Sequence, residues 1–274
     1  RRGPGDAPPR LTSSGWRSRV QDWNVPAATP TRRQRLRAEL LREARAAARR
    51  LLAEHGADGV TMVAVAKEVG IAGPGMYRYF EGRPGLLTAV YDDTLDELIA
   101  YLERAVARQP ADDQAARLHA ATHALFVWCR SHRNEFDLLL GADAQHAVGA
   151  SGTSRPHFVH RLGSVFVPTF AALWRAGVPF PGDADVAPGL APELDAYRTV
   201  LTQDSPGVAE EVPVGVVHTI MVFWRQVYGL LCMVAYDQLD YAFGNFDAMF
   251  DDMMRSLLAS LGLEPSPRVV LVEA

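Results

Sequence analysis

Apolar positions recur along most of this chain at the three- and four-residue spacing of helices, and no alternating run of useful length marks a strand. The first such stretch begins at Thr31. Pro30-Thr31 followed by Gln34 makes a capping box, in which the threonine oxygen accepts a first-turn N–H and the glutamine reaches back. Leu36, Leu40, Ala44, Ala47, Leu51 and Leu52 then share one face, up to a stop at His55-Gly56. Thr61 caps a short helix over Met62–Val69, and Gly70 supplies a turn that needs positive φ. Pro74 suits the first turn of a second short helix, running to Phe80. Glu81-Gly82-Arg83 then leads to Pro84 and a long helix to about Ala107. A long helix supporting a short helix, a tight turn and another short helix is the layout of a helix-turn-helix.

The remainder is helical too. Asp112 or Asp113 caps a helix to about Ser131, and Asn134–Leu140 makes another. Pro156–Ala176 is long and apolar, with Pro168 expected to kink it. Pro192–Thr202, Glu210–Gln238 and Asn245–Leu261 complete the set, with loops at 141–154 and 178–191. The expected fold class is all-α. A three-helix helix-turn-helix domain at 31–83 joins a larger helical domain at 84–263. A Gly-, Pro-, Ser- and Arg-rich stretch at 1–30 reads as a flexible arm, and 264–274 as a tail.

Residues 51–87, LLAEHGADGVTMVAVAKEVGIAGPGMYRYFEGRPGLL, resemble the DNA-binding domain of tetracycline-repressor (TetR) family transcriptional regulators. The matching points are Gly56, Thr61, Val65-Ala66, Gly70-Ile71, Met76-Tyr77, Tyr79-Phe80 and Leu86, within a likeness covering about Thr31–Thr94. Farther on, WCRSHRNEFDLLL (128–140) and WRQVYG (224–229) look like the ligand-domain pattern of many members.

The resemblance implies that Gly73–Tyr79 is the recognition helix in the major groove. Gly73, Pro74 and Gly75 then face base edges, with Met62 of the preceding helix beside them. Ala72 stands where a capping Ser or Thr is usual, which weakens the helix start by about 1 kcal/mol. Glycines read no bases through side chains. Pro74 and Met62 are left for thymine methyls and Arg78 for guanine or phosphate, so shape readout carries more of the specificity. Thr61, Tyr77, Tyr79 and Arg83 match phosphate-contacting positions. Both tyrosines also suit packing of the small domain, and the two roles are compatible.

Charge sharpens this division. Residues 1–85 hold 16 basic against 8 acidic side chains, and 86–274 hold 12 against 24. The turn region 56–85 is neutral, with 3 of each. A basic grip on phosphate therefore falls to the arm and the first helix, with Arg32, Arg33 and Arg35 as candidates. A merely solvated face is the plainer reading of that arginine run. Arg17 and Arg19 of the arm are candidates for the minor groove.

In the acidic half, Phe126, Trp128, Phe166, Phe170, Trp174, Trp224 and Tyr228 read either as the wall of an effector cavity, as the family suggests, or as ordinary core. His119, His123, His218, Arg225 and Gln226 are the polar groups placed to orient a ligand. In the family the last two long helices pair with a second copy, and core packing is the competing account of their apolar faces. A dimer would set two reading heads on a palindromic site.

Enzyme readings fare poorly. His119 and His123 have ligand spacing but no following Glu, and no nucleophile elbow or phosphate-cradling loop occurs. No cofactor or metal is expected. Cys129 and Cys232 sit in apolar runs and read as reduced thiols of a cytoplasmic protein. The most apolar stretch, Ile220–Ala235, is interrupted by Arg225 and Gln226, so no membrane span is expected. The sequence thus points to a homodimeric DNA-binding repressor, released from a palindromic operator by a small apolar effector. Two alternatives are a ligand-binding protein or enzyme of the C-terminal cavity with DNA binding secondary, and a DNA-binding protein without effector.

Overall fold

The computed structural model describes residues 31–141, 154–203 and 212–272. The expected arm, with Trp16, Arg17, Arg19 and Trp23, lies outside the described residues. Ten α-helices and no strand occur among those described: α1 Arg32–Gly59, α2 Met62–Glu68, α3 Gly73–Met76, α4 Gly82–Ala107, α5 Gln114–Ser131, α6 Arg133–Leu140, α7 Ser154–Arg175, α8 Ala191–Leu201, α9 Val214–Ala235 and α10 Phe246–Ser260. The chain is all-α, as its periodicity predicts.

Contacts divide the chain into two compact units, residues 1–40 and 41–274. The boundary expected at 83 thus falls inside the second unit. In the first unit the capping box forms: the Gln34 N–H donates to Thr31 Oγ1 at 3.2 Å, and the Thr31 N–H to Gln34 Oε1 at 2.7 Å. Leu36 is exposed, so the apolar stripe of α1 is buried only from Ala44 onward, through Ala47, Ala48 and Leu52. Gly56, at φ 68°, breaks α1 where the sequence places its stop.

In the second unit α4 packs on α5 and α7, and α8 packs on α7 and α9. Asp113 and Asn245 cap α5 and α10 by accepting the Ala116 and Ala248 N–H groups at 2.9 and 3.0 Å. The helix α7 continues through Pro168 as one element, so the expected kink does not divide it. After α10 the chain runs back over the α4–α5 corner. There Gln109, 5% exposed, grips both backbone polar groups of one residue: its amide donates to the Val270 carbonyl at 2.7 Å and accepts the Val270 N–H at 2.9 Å. Asp113 accepts from Ser266 Oγ and from Arg268 Nε at 3.1 Å in the same strap.

By length and composition α9 is a helix long enough to cross a membrane, although only 39% of its most apolar window is buried. Its inner face, with Val216, Val217, Ile220, Phe223, Val227 and Leu231, belongs to the core of the unit.

Candidate nucleic-acid interface and ligand cavity

Thr61 caps α2 through Oγ1, which accepts the Ala64 N–H at 3.1 Å. Met62, Val65 and Ala66 stand at i, i+3 and i+4 and form the buried side of that helix. This corrects the expected role of Met62. At 5% exposure it packs inward and offers nothing to a thymine methyl. Its neighbour Val63, 72% exposed, is the apolar side chain that α2 presents outward. Gly70 then turns the chain at φ 71°, a conformation that side chains resist.

Regular helix in α3 lasts one turn and ends at Met76, short of the Gly73–Tyr79 span expected from the sequence. The Tyr79 and Phe80 N–H groups still donate to the Met76 carbonyl at 2.9 and 3.1 Å, which prolongs the coil irregularly. Ala72 makes no side-chain cap, as its methyl group dictates. Pro74, Tyr77 and Arg78 are exposed; Gly73, Gly75 and Tyr79 are half-buried. A Cβ added at Gly73 would meet nothing within 4 Å, so the backbone there faces open space.

Arg83 has a structural duty that its spacing does not reveal. Its Nε donates to the Val60 carbonyl at 3.0 Å and its Nη2 to the Ala57 carbonyl at 2.7 Å. It thereby closes the broken end of α1 against the start of α4. Of the α1 arginines in this unit, Arg45 pairs with Asp93 at 2.7 Å, Arg49 with Glu97, and Arg50 with Glu68 at 2.9 Å. Part of the N-terminal positive charge is therefore neutralised by α2 and α4. Arg32, Arg33 and Arg35 in the smaller unit are exposed.

An apolar cavity, partly open to solvent and with about 500 Å³ of empty space when the open solvent at its mouth is included, lies among α5, α7, α8 and α9. Phe166, Phe170 and Trp224 line it, as expected. Four other aromatic candidates do not. Phe126 stacks on Phe250 at 4.8 Å, and Trp128 on His132 at 5.1 Å. Trp174 is 41% exposed against Phe180. The Tyr228 hydroxyl donates to the Leu140 carbonyl at 3.1 Å. Phe158, Phe223, Tyr197, Leu162 and Ile220 line the cavity and were not singled out by the sequence. Their helical spacing marks an inward face, yet it does not say which inward side chains meet a void.

None of His119, His123, His218, Arg225 and Gln226 lines the cavity. His119 and His123 instead flank the Phe250 ring at 5.8 and 5.3 Å. Burial holds His119 below the ordinary histidine pKa, helped by His123 and opposed by Asp251. Among the described residues no group of three His, Cys, Asp or Glu side chains is placed to hold a metal. Burial pushes the Cys129 thiol up to about 12, with Cys232 adding to the shift, so it is a poor nucleophile.

Residues 45–90 match the family described as bacterial regulatory proteins, tetR family, and residues 118–257 match the tetracyclin repressor-like C-terminal domain. Over 94 residues the chain is 31% identical to the HTH-type transcriptional regulators Rv1816 of Mycobacterium tuberculosis and Mb1846 of Mycobacterium bovis. Those alignments cover 34% of this chain and 40% of each relative. Among solved structures, the regulatory protein SCO4313 aligns with a TM-score of 0.60 at 23% identity, over 84% of this chain and all of that one. A protein from Rhodococcus sp. RHA1 aligns with a TM-score of 0.56 at 21% identity, over 84% of this chain and 97% of that one. RolR, solved with resorcinol, reaches 0.50 at 18% identity, over 87% and 98%. At these identities the structural likeness concerns the fold.

Proposed function

Because the chain belongs to the tetracycline-repressor family and is a DNA-binding transcriptional regulator, we propose that it is a homodimeric repressor released from a palindromic operator by a small apolar effector. The observation that carries this reading is the pairing, within one compact unit, of an exposed reading surface with a separate apolar cavity. Pro74, Tyr77 and Arg78, joined by Thr61 and Val63, face the operator; Gly73 and Gly75 let the backbone approach it. Tyr79 and the remaining N–H groups of Arg83 supply phosphate contacts, and Arg32 and Arg33 add the salt-sensitive grip. The dimer forms through α9 and α10. Support comes from the unburied majority of the apolar stretch of α9, and from Tyr241 and Phe243, 83% and 50% exposed between the two helices.

The helix α4 begins beside the reading head and runs alongside α5 and α7, which help to wall the cavity. An effector that binds one arrangement of these helices better than another changes the spacing of the two heads. Operator affinity then falls by the ratio of the effector's affinities for the two states. Such a protein works in the cytoplasm.

The test is selection of bound duplexes from a random DNA pool by the full chain, followed by titration of the selected duplex with and without candidate effectors. The expected result is a palindrome whose half-sites lie about one helical turn, or a multiple of it, apart. A single asymmetric site would overturn the dimeric reading. An effector that fills the cavity and leaves operator affinity unchanged would overturn release by ligand.

A further inference from the structure

Fourteen residues line the cavity, and none of them bears a charge. Two have a heteroatom in the side chain, Tyr197 on α8 and Trp224 on α9. The Trp224 ring is already stacked on Tyr228 at 5.5 Å and tilted against Phe158 at 6.2 Å. Tyr197 differs: it is half-buried, and no other described residue hydrogen-bonds its hydroxyl. Burial raises its pKa, so at neutral pH it is an O–H donor. Its position is also fixed. The helices α7 and α8 approach so closely that a Cβ on Gly163 would stand 2.7 Å from the Leu201 carbonyl oxygen. Tyr197 lies one helical turn before Leu201 on the same face of α8. The phenol thus lines the same cavity as Leu162, Phe166 and Phe170.

We infer that the cavity selects a neutral, carbon-rich guest carrying one hydroxyl or carbonyl oxygen, which the Tyr197 hydroxyl recognises, and that it rejects carboxylates and phosphates. This rests on reading the cavity as the effector site. The two halves of the selection have separate causes. A half-buried phenol that no described residue hydrogen-bonds can exchange water for one polar atom of the guest at the apolar wall. A carboxylate or phosphate placed there finds no Lys, Arg or His on the wall to replace its water, so it binds poorly.

Three ring-matched probes separate these effects: naphthalene, 2-naphthol and 2-naphthoate. Each is titrated at pH 7 against the full chain and against Tyr197→Phe by fluorescence or calorimetry. The wild type is expected to bind 2-naphthol tightest and naphthalene roughly fivefold more weakly. 2-Naphthoate should be weaker than 2-naphthol by more than about tenfold. Y197F should bring 2-naphthol down to the level of naphthalene and leave naphthalene itself unchanged. Equal or tighter binding of 2-naphthoate overturns the inference and leaves the effector site standing. Undiminished 2-naphthol binding by folded Y197F overturns it equally. If none of the three binds the wild type, the effector-site reading falls and the inference with it. Should Y197F fail to fold, the ranking of the three probes on the wild type decides.

Discussion

Around α3 the chain leaves apolar side chains in water, Val63 and Tyr77 foremost, with Arg78 the charge among them. Around the cavity it does the reverse, burying Phe166, Phe170 and Phe223 and admitting no charge to the wall. The exposed side chains at the head bury little surface and so contribute little to holding the fold, which leaves them to the proposed contact with DNA. The cavity wall already contributes to the stability of the unit. Substitutions at the head should therefore be read in affinity, and substitutions at the wall in stability.

The largest effect should come from the wall. Phe170→Ala removes a ring with 0% exposure and should cost about 3–5 kcal/mol in denaturant unfolding. The molecules that remain folded should keep their operator affinity; a cost below about 1 kcal/mol would mean that the wall does not hold the unit together.

Arg83 tests whether the head obeys the same division. Arg83→Ala loses bonds to two carbonyls at a partly exposed site and should lower stability by about 1–3 kcal/mol. If Arg83 served phosphate alone, stability would hold and the salt dependence of DNA binding would lose a slope of about one.

A smaller effect should appear with pH. The burial that lowers the pKa of His119 means that, below the ordinary histidine value of 6.5, the unfolded chain takes up protons that the folded one refuses. The stability present above that value should fall as the pH drops toward the lowered one. Unfolding curves of His119→Leu should be flatter than wild type over that window; a parallel decline would assign the acid sensitivity to other groups. Smallest in stability terms are Arg32→Ala and Arg33→Ala. Each should leave unfolding unchanged and reduce the log–log salt slope of operator binding by about 0.9.

The local parts of the fold were legible because their causes are local. Thr61, Asp113 and Asn245 sit within three residues of the N–H groups they accept, and Gly56 and Gly70 mark positions of positive φ. The burial of Met62 was equally open to reading, since it shares a stripe with Val65 and Ala66. The cavity was not legible in the same way. Phe126 and Phe166 both lie on inward faces, and only the packing of separate helices decides that one meets Phe250 and the other a void. The arginines of α1 tell a similar story. Arg45 and Arg49 meet Asp93 and Glu97, each 48 residues away, a separation that no local pattern records.

The strap that returns to the α4–α5 corner also sets a timetable. Gln109 waits for the backbone of a residue 161 positions farther along the chain. At a synthesis rate of about 5–20 residues per second, roughly 10–30 s separate the emergence of the two. Through that interval the corner stays unsealed, with a side-chain amide that the finished fold almost wholly buries still exposed to water. The bond between the α4–α5 corner and Val270 therefore forms only once residue 270 has been made, however early α4 and α5 pair.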